Sequence, residues 1–341
     1  MSFYYISIYY IFLPFYIKMS AIVNNDTSQI LVSILCCTYN HEAYIRQCLE
    51  GFIMQKTDFR FEAVVHDDAS TDNTAAILRE YAEKYPDIIN PIYETENQYT
   101  KKDDSLVRIM NAACKGKYIA FCEGDDYWTD PYKLQKQVDI FENNNKIGLV
   151  FSKVDVYDEL KKEIISDFGN KTDFFKLLDL GNSIPTLSVC IRAEIYNSYI
   201  NEIKPWVYRW KMGDYPLWLY TLKFYESAFI DSVMGVYRKL PNSASHSNCE
   251  LRNIDFLRSY RDIRLFFFNH FNVSSSTIRR HIYSQYISDI YKVIMDNSRD
   301  ISIIKKELQQ IPVTNLKISL MKLALLNRYL NDRLYPMLVK I

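Results

Sequence analysis

The strongest constraint in this chain is an alternation of two textures. Between residues 31 and 157, five apolar runs of strand length are separated by segments of helical spacing: "LVSILCC" (31–37), "FEAVVHDD" (61–68), "IINPIYE" (88–94), "YIAFCE" (118–123) and "IGLVFSKVDVY" (147–157). After the first run, Tyr44, Ile45, Cys48, Leu49 and Ile53 recur on one helical face, with Asn40 placed as an N-cap. "ASTDNTAAILREYAEKY" reads as a helix capped by Ser70 or Thr71, with Asp72 on the favourable end of the dipole. Residues 105–116 form a helix stopped by Gly116. Residues 131–144 form another, with Pro131 at its first position and Asp130 as its cap. Strands alternating with helices predict an α/β fold, a mostly parallel, Rossmann-like sheet flanked by helices on both faces.

In such sheets ligands bind beyond the carboxyl ends of the strands. Three polar clusters fall there: "TYN" (38–40), "DDAS" (67–70) and "EGDD" (123–126). The last is the most crowded, because Glu123, Asp125, Asp126 and Asp130 lie within eight residues. Neighbouring carboxylates repel and need a cation or a shared proton. Asp130 accounts for a helix cap, and the Asp125–Asp126 pair suits a hard divalent cation completed by substrate phosphates. The bland alternative is a solvated turn, just as Asp67 and Asp68 could serve only to cap the helix after them. No Gly-x-Gly-x-x-Gly follows the first strand and no Gly-x-x-x-x-Gly-Lys-Ser/Thr occurs, which disfavours a dinucleotide fold and removes P-loop NTPases.

Lys and Arg number 41, matching 41 Asp and Glu, so no basic surplus points to nucleic acid. The seven cysteines are odd in number and show no metal spacing, as expected of buried thiols in a reduced, cytoplasmic protein. The apolar run Phe3–Ile17 is 15 residues and contains Pro14. It is short for a membrane span of about 20 residues and lacks a basic lead-in, so residues 1–18 are expected to be an untranslated leader ahead of a start at Met19. A membrane-anchoring segment is the alternative.

The segments "LVSILCCTYNHEAYIRQCLEGFIMQ", "FEAVVHDDASTDNTAAIL" and "GKYIAFCEGDDYWTDPYKLQKQVDIF" together resemble the N-terminal half of the family 2 glycosyltransferases, which have the GT-A fold. The resemblance is strong over 31–150 and continues to about 240. It implies a GT-A domain over 19–245 and a helical C-terminal extension over 246–341. It also implies a single-displacement, inverting transfer from a nucleotide-diphospho-sugar, a UDP-sugar first among candidates, to a glycan or lipid-linked acceptor, in surface polysaccharide synthesis. On that resemblance Cys37, Thr38, Tyr39 and Asn40 form the first nucleotide-contacting loop. Asp68 accepts from the base, Asp125 faces the ribose, and Asp126, with Asp125, ligates Mn²⁺ or Mg²⁺. Asn97 matches loosely a polar residue near the nucleotide. Asp214, in "KMGDYPLWL", matches the general base. A catalytically degenerate GT-A module that binds nucleotide-sugar or glycan is the alternative. It is motivated by a departure from the family pattern: "VYRKLPNSASHSN" keeps Tyr237 and Arg238, but Leu240 stands where relatives carry His. His246 could substitute, and Arg238 or Lys239 could pair with phosphate instead.

Downstream, helices are expected at 171–180 and 213–225 and strands at 184–192 and 228–240. Trp206, Tyr208, Trp210, Tyr215 and Trp218 suit sugar stacking or an aromatic core. Ile278, Ile282, Tyr286, Ile290 and Ile294 mark one helical face, and Leu316, Leu320, Leu323, Leu326, Leu330, Leu334 and Met337 another. The latter would pack on the enzyme or a homodimer partner, or lie in a membrane surface. The expected location is the cytoplasm, with the inner face of the membrane as the alternative site.

Overall fold

A computed structural model describes residues 29–241, 250–297, 306–312 and 316–326. The leader, the Met19 start, His246 and the leucine stripe beyond Leu326 lie outside the described residues. The alternating segment folds as β1 (Ile30–Thr38), α1 (Ile45–Ile53), β2 (Arg60–Asp67), α2 (Thr74–Lys84), β3 (Ile89–Tyr93), α3 (Ser105–Ala113), β4 (Tyr118–Phe121), β5 (Tyr127–Trp128), α4 (Lys133–Asn143) and β6 (Ile147–Asp158). Strands β3-β2-β1-β4 lie side by side and run parallel. The chain then adds β7 (Glu163–Phe168), α5 (Phe174–Leu180), β8 (Cys190–Arg192), α6 (Ala193–Ile203), α7 (Asp214–Phe224) and β9 (Glu226–Lys239). β8 is antiparallel to both β4 and β6, so it joins the parallel half to a second half. There β6 and β9 run parallel while β5 and β7 pair antiparallel at the far side.

The expected strand at 184–192 is shorter than its apolar pattern suggests. A 3-10 turn covers Thr186–Ser188 and only three residues enter the sheet. Pro185 cannot donate to a ladder, and the Ser188 carbonyl is taken by a side chain, so of Ser188 and Val189 only the Val189 carbonyl reaches β4. Ser188 O accepts from Gln137 Nε2 (2.7 Å) and Val189 O from Phe121 N (3.1 Å).

Three helix starts also differ from expectation. Asn40 is not a cap: α1 begins after Tyr44, and Asn40 adopts the left-handed region (φ 55). For α2, Asp72 Oδ1 accepts from Thr74 N at 2.9 Å, the job expected of Ser70 or Thr71. α4 begins at Lys133, not Pro131. Asp130 Oδ1 accepts from Tyr132 N at 2.8 Å in a turn just before the helix, and Asp130 Oδ2 pairs with Lys136.

The sheet's two faces bury separate cores. Along β4 the period-two alternation divides the side chains: Tyr118 and Ala120 pack with α1, α2 and α4, whereas Ile119 and Phe121 pack with α5, α6 and α7. The helices α8 (Glu250–His270) and α9 (Ser276–Asn297) follow. Ile263, Phe267 and Phe268 of α8 enter the second core, so this helix docks directly on the sheet domain. Ile282, Tyr286 and Ile290 of α9 are buried as the spacing predicts. α10 (Leu316–Leu326) buries Ile318 and Met321, while of the leucine stripe Leu320 is half-buried and Leu323 is 54% exposed. Among the described residues no helix is long and apolar enough to cross a membrane.

Candidate active site

The Asp125–Asp126 turn is built onto the exit of β1. Cys122 N donates to Leu35 O (3.2 Å) and Gly124 N to Cys37 O (3.0 Å), and Asp126 N closes the turn on Glu123 O (3.1 Å). Gly124 is required by this close approach. A Cβ there would lie 2.5 Å from Thr38 Oγ1 and 3.0 Å from His41 Nδ1.

Asp126 is 3% exposed, and its Oδ1 accepts the backbone N–H of Arg238 at 2.8 Å. Glu123 is half-buried, and its Oε2 is out of reach of solvent with no hydrogen-bond partner. Burial, then the charges of Asp125 and Asp214, push the Glu123 carboxyl up to about 8. Asp126 is likewise raised well above the usual carboxylate range, by burial first and then by Asp125 and Glu123. Burial lowers the neighbouring His41.

This is a site with a surplus of negative charge and two unpaired buried oxygens, Glu123 Oε2 and Thr38 Oγ1. Its donors are hard oxygens, which fit a divalent cation of the Mg²⁺ or Mn²⁺ type. No cluster of three or more His, Cys, Asp or Glu side chains forms a ready-made cage among the described residues. The carboxylates could therefore supply only part of a coordination sphere.

The β1 and β2 rims interlock. Asn40 N donates to Ser70 Oγ (2.9 Å), and Thr71 N donates back to Asn40 Oδ1 (2.8 Å). His41 N donates to Thr74 Oγ1 (2.8 Å), Glu42 N to Asp72 Oδ2 (3.1 Å), and Asn73 N to Glu42 Oε2 (2.9 Å). Thr38 Oγ1 and Asp67 Oδ1 are buried without partners, and Tyr39 is exposed.

Asp68 and Asn97 are brought together, but in a loop clamp. The two Asp68 carboxylate oxygens accept from Gln98 N (2.6 Å) and Tyr99 N (3.1 Å), and Asn97 Nδ2 donates to Asp68 O (3.1 Å). With Asp68 only 1% exposed, its side chain holds the loop after β3 against β2.

Asp214 opens α7 after Gly213. Its Oδ2 accepts from Thr186 Oγ1 at 2.8 Å, with Asn182 Nδ2 at 3.5 Å. Asn182 is in turn held by its N–H on Tyr260 Oη (2.6 Å) from α8. The Asp214 charge is among those that raise the Glu123 carboxyl.

Glu123, Thr186 and Asn182 carried no assignable signal in the sequence; only the Gly flanked by carboxylates hinted at a tight approach. Among the aromatic candidates Tyr215 and Trp218 are core residues, whereas Tyr208 is exposed and Trp206 half-buried. Arg238 turns its guanidinium inward: Nη1 donates to Asp125 O at 2.5 Å, and Nε lies 3.2 Å from Glu159 Oε1.

Known proteins share both the sequence pattern and the architecture. Residues 33–196 match the profile of "Glycosyl transferase family 2". An uncharacterized protein of Mycobacterium tuberculosis is 33% identical over 228 residues, covering 63% of this chain and 61% of that one. The chain thus spans about three fifths of that relative's length. The dTDP-rhamnosyl transferase RfbG of Shigella flexneri is 30% identical over 139 residues, covering 40% of this chain and 47% of that one.

Among solved structures, TarS of S. aureus superposes with a TM-score of 0.54 at 15% identity, covering 91% of this chain and 55% of that one. Its complex with UDP-GlcNAc gives 0.51 at 16% identity, covering 91% and 86%. The mannosyltransferase PcManGT from Pyrobaculum calidifontis, in complex with GDP-Man and Mn²⁺, gives 0.53 at 15% identity, covering 92% and 85%. At these identities the superpositions speak for the fold, and the profile match speaks for the family. Residues 33–196 are thus similar to glycosyltransferase family 2, and the chain has the GT-A fold of these neighbours.

Proposed function

We propose that the protein is a divalent-metal-dependent, inverting glycosyltransferase that moves a sugar from a nucleoside-diphospho-sugar to a hydroxyl of a glycan or lipid-linked acceptor. The observation that carries this reading is the Asp125–Asp126 turn seated on the exit of β1, with Asp126 buried and Glu123 Oε2 unpartnered beside it; Asp214, at the start of α7, is among the charges that Glu123 feels. A base and a diphosphate-binding turn belong side by side in a single displacement. The named ligands of the fold neighbours, UDP-GlcNAc and GDP-Man with Mn²⁺, support a nucleotide-sugar donor. The name of the Shigella flexneri relative, a dTDP-rhamnosyl transferase, supports transfer of a sugar from a nucleoside-diphospho-sugar.

In the proposed step the acceptor oxygen bonds to the anomeric carbon as that carbon's bond to the diphosphate oxygen breaks. The leaving group departs with the electron pair, and the acceptor proton moves to Asp214. Thr186 and Asn182 hold Asp214 Oδ2, which leaves Oδ1 to face the acceptor. Asp126, with Asp125, would hold the cation, which when bound neutralises charge developing on the leaving diphosphate. Cys37, Thr38, Tyr39 and Asn40 form the wall beside the nucleotide, and Asp68 and Asn97 fix the loop that closes its far side.

The test separates the two carboxylate roles. Asp126→Ala should lose Mn²⁺-dependent binding of the nucleoside diphosphate. Asp214→Asn should keep that binding and lose at least a hundredfold in transfer, measured as nucleoside diphosphate release from UDP-, GDP- and dTDP-sugars. Full activity in Asp214→Asn would refute the base assignment. Absence of turnover with intact binding would favour a module that binds without catalysis.

A further inference from the structure

We infer that Arg238 is a positioning residue, a strut that holds the Asp125–Asp126 turn, and is not a phosphate ligand. The inference rests on the reading of that turn as the cation and diphosphate site. Arg238 ends β9 and is only 6% exposed. Its backbone N–H donates to Asp126 Oδ1 (2.8 Å), and its guanidinium Nη1 donates to the carbonyl of Asp125 (2.5 Å), so one residue grips both members of the pair.

The rest of the guanidinium is committed elsewhere. Nη2 donates to Gln47 Oε1 on α1, and Nε pairs with Glu159 Oε1 at 3.2 Å, at the β6–β7 turn. The plane lies against two rings, 4.5 Å from the centroid of Tyr127 and 5.2 Å from that of Tyr44. Glu159 is itself 10% exposed at its side chain, so this ion pair is mostly out of water.

The fork geometry matters. A guanidinium presents donors in a rigid planar set that can bridge three acceptors at once, whereas an ammonium on a flexible stem is a single point charge. A residue meant to meet a phosphate would keep donors free toward solvent. Here each terminal nitrogen already serves a protein acceptor, one of them the main chain of the turn itself. A displacement of about 1 Å in a catalytic constellation can cost about a hundredfold in rate, which is the scale of control such a strut exerts.

Two variants and two readouts test this. In Arg238→Lys, amide hydrogen exchange across residues 123–127 of the nucleotide-free protein should rise tenfold or more. The affinity for UDP with Mn²⁺, by calorimetry, should fall at least tenfold, while UDP affinity without metal stays within twofold. Glu159→Gln, whose side chain meets Arg238 on the side away from the turn, should shift both readouts in the same direction by a smaller factor. It also covers the case in which Arg238→Lys fails to fold.

Unchanged exchange at 123–127 in both variants overturns the strut, whether or not nucleotide binds. An equal loss of UDP affinity with and without Mn²⁺, with exchange unchanged, makes Arg238 a phosphate ligand instead. Wild-type protein that binds none of UDP, GDP, CDP or dTDP with Mn²⁺ would defeat the functional reading, and the exchange data would then decide the strut alone.

Discussion

Gly124→Ala isolates the geometry of the carboxylate turn without touching a carboxylate. The added Cβ would stand 2.5 Å from Thr38 Oγ1 and 2.7 Å from Thr38 Cβ. Ordinary contact for such atoms begins near 3.4 Å, so something must move by about 0.9 Å. Thr38 cannot supply that movement cheaply: it is the last residue of β1, 1% exposed, and paired with β2 at Asp67. The turn must therefore shift.

Overpacking of this kind costs about 1–3 kcal/mol. Each kcal/mol lowers Tm by roughly 2–4 °C in a domain of about 200 residues, so a fall on the order of 2–10 °C is expected. The functional loss should be larger, about a hundredfold in transfer rate, because the carboxylates move by about 1 Å. Gly213→Ala is the matched control. It precedes Asp214, has ordinary helical torsions (φ −93, ψ −27), and its Cβ would meet nothing within 4 Å. Its Tm and Mn²⁺-dependent UDP binding should match wild type. Differential scanning calorimetry and titration calorimetry on both variants decide the matter. Gly124→Ala with wild-type Tm and wild-type Mn²⁺–UDP affinity would refute the packing argument.

Glu123 sets a pH slope. Its carboxyl, pushed up to about 8 in the folded protein, lies above its ordinary value of 4.5, so its stability contribution is full below 4.5 and is lost as pH rises through about 8. Thermal melts of Glu123→Gln in EDTA should flatten that fall, and Mn²⁺ should raise the wild-type Tm more at pH 8 than at pH 6. Lys133 has the opposite sense: burial lowers its ammonium to about 8, so stability should rise with pH between about 8 and 10.5. Its Nζ donates to Gln137 Oε1 (2.9 Å) over the Trp128 ring, and in Lys133→Met that rise should vanish in a urea-melt series against pH. Asp68→Asn leaves one of the Gln98 and Tyr99 amides without its acceptor, a loss of about 1–3 kcal/mol. Faster amide exchange at those two residues, with the rest of β2 unchanged, would show it.

The fold's first half was legible because buried parallel strands announce themselves as unbroken apolar runs. The second half was less so. β5 is two residues long, β7 is almost fully exposed, and β8 keeps three residues of a longer apolar run, so none carries a periodic signal. Asp125 and Asp126 stood out as a carboxylate pair at a strand end, whereas Asp214 was named only through the family resemblance. The residues that orient them could not be named. Thr186 and Asn182 reach Asp214 from a turn that is distant in sequence, and Glu159 meets Arg238 across the β6–β9 pairing. Local cap rules misplaced Asn40 because a long-range bond to Thr71 outweighs a cap on its own helix.

That bond belongs to a reciprocal set, in which each of the loops 40–42 and 70–74 supplies acceptors for the other's main chain. The two segments, about thirty residues apart in sequence, are therefore a single inheritable part. Exchanging one loop for that of a relative should strand several main-chain amides, whereas exchanging both together should be tolerated. This edge of the sheet would thus change in evolution by paired substitutions.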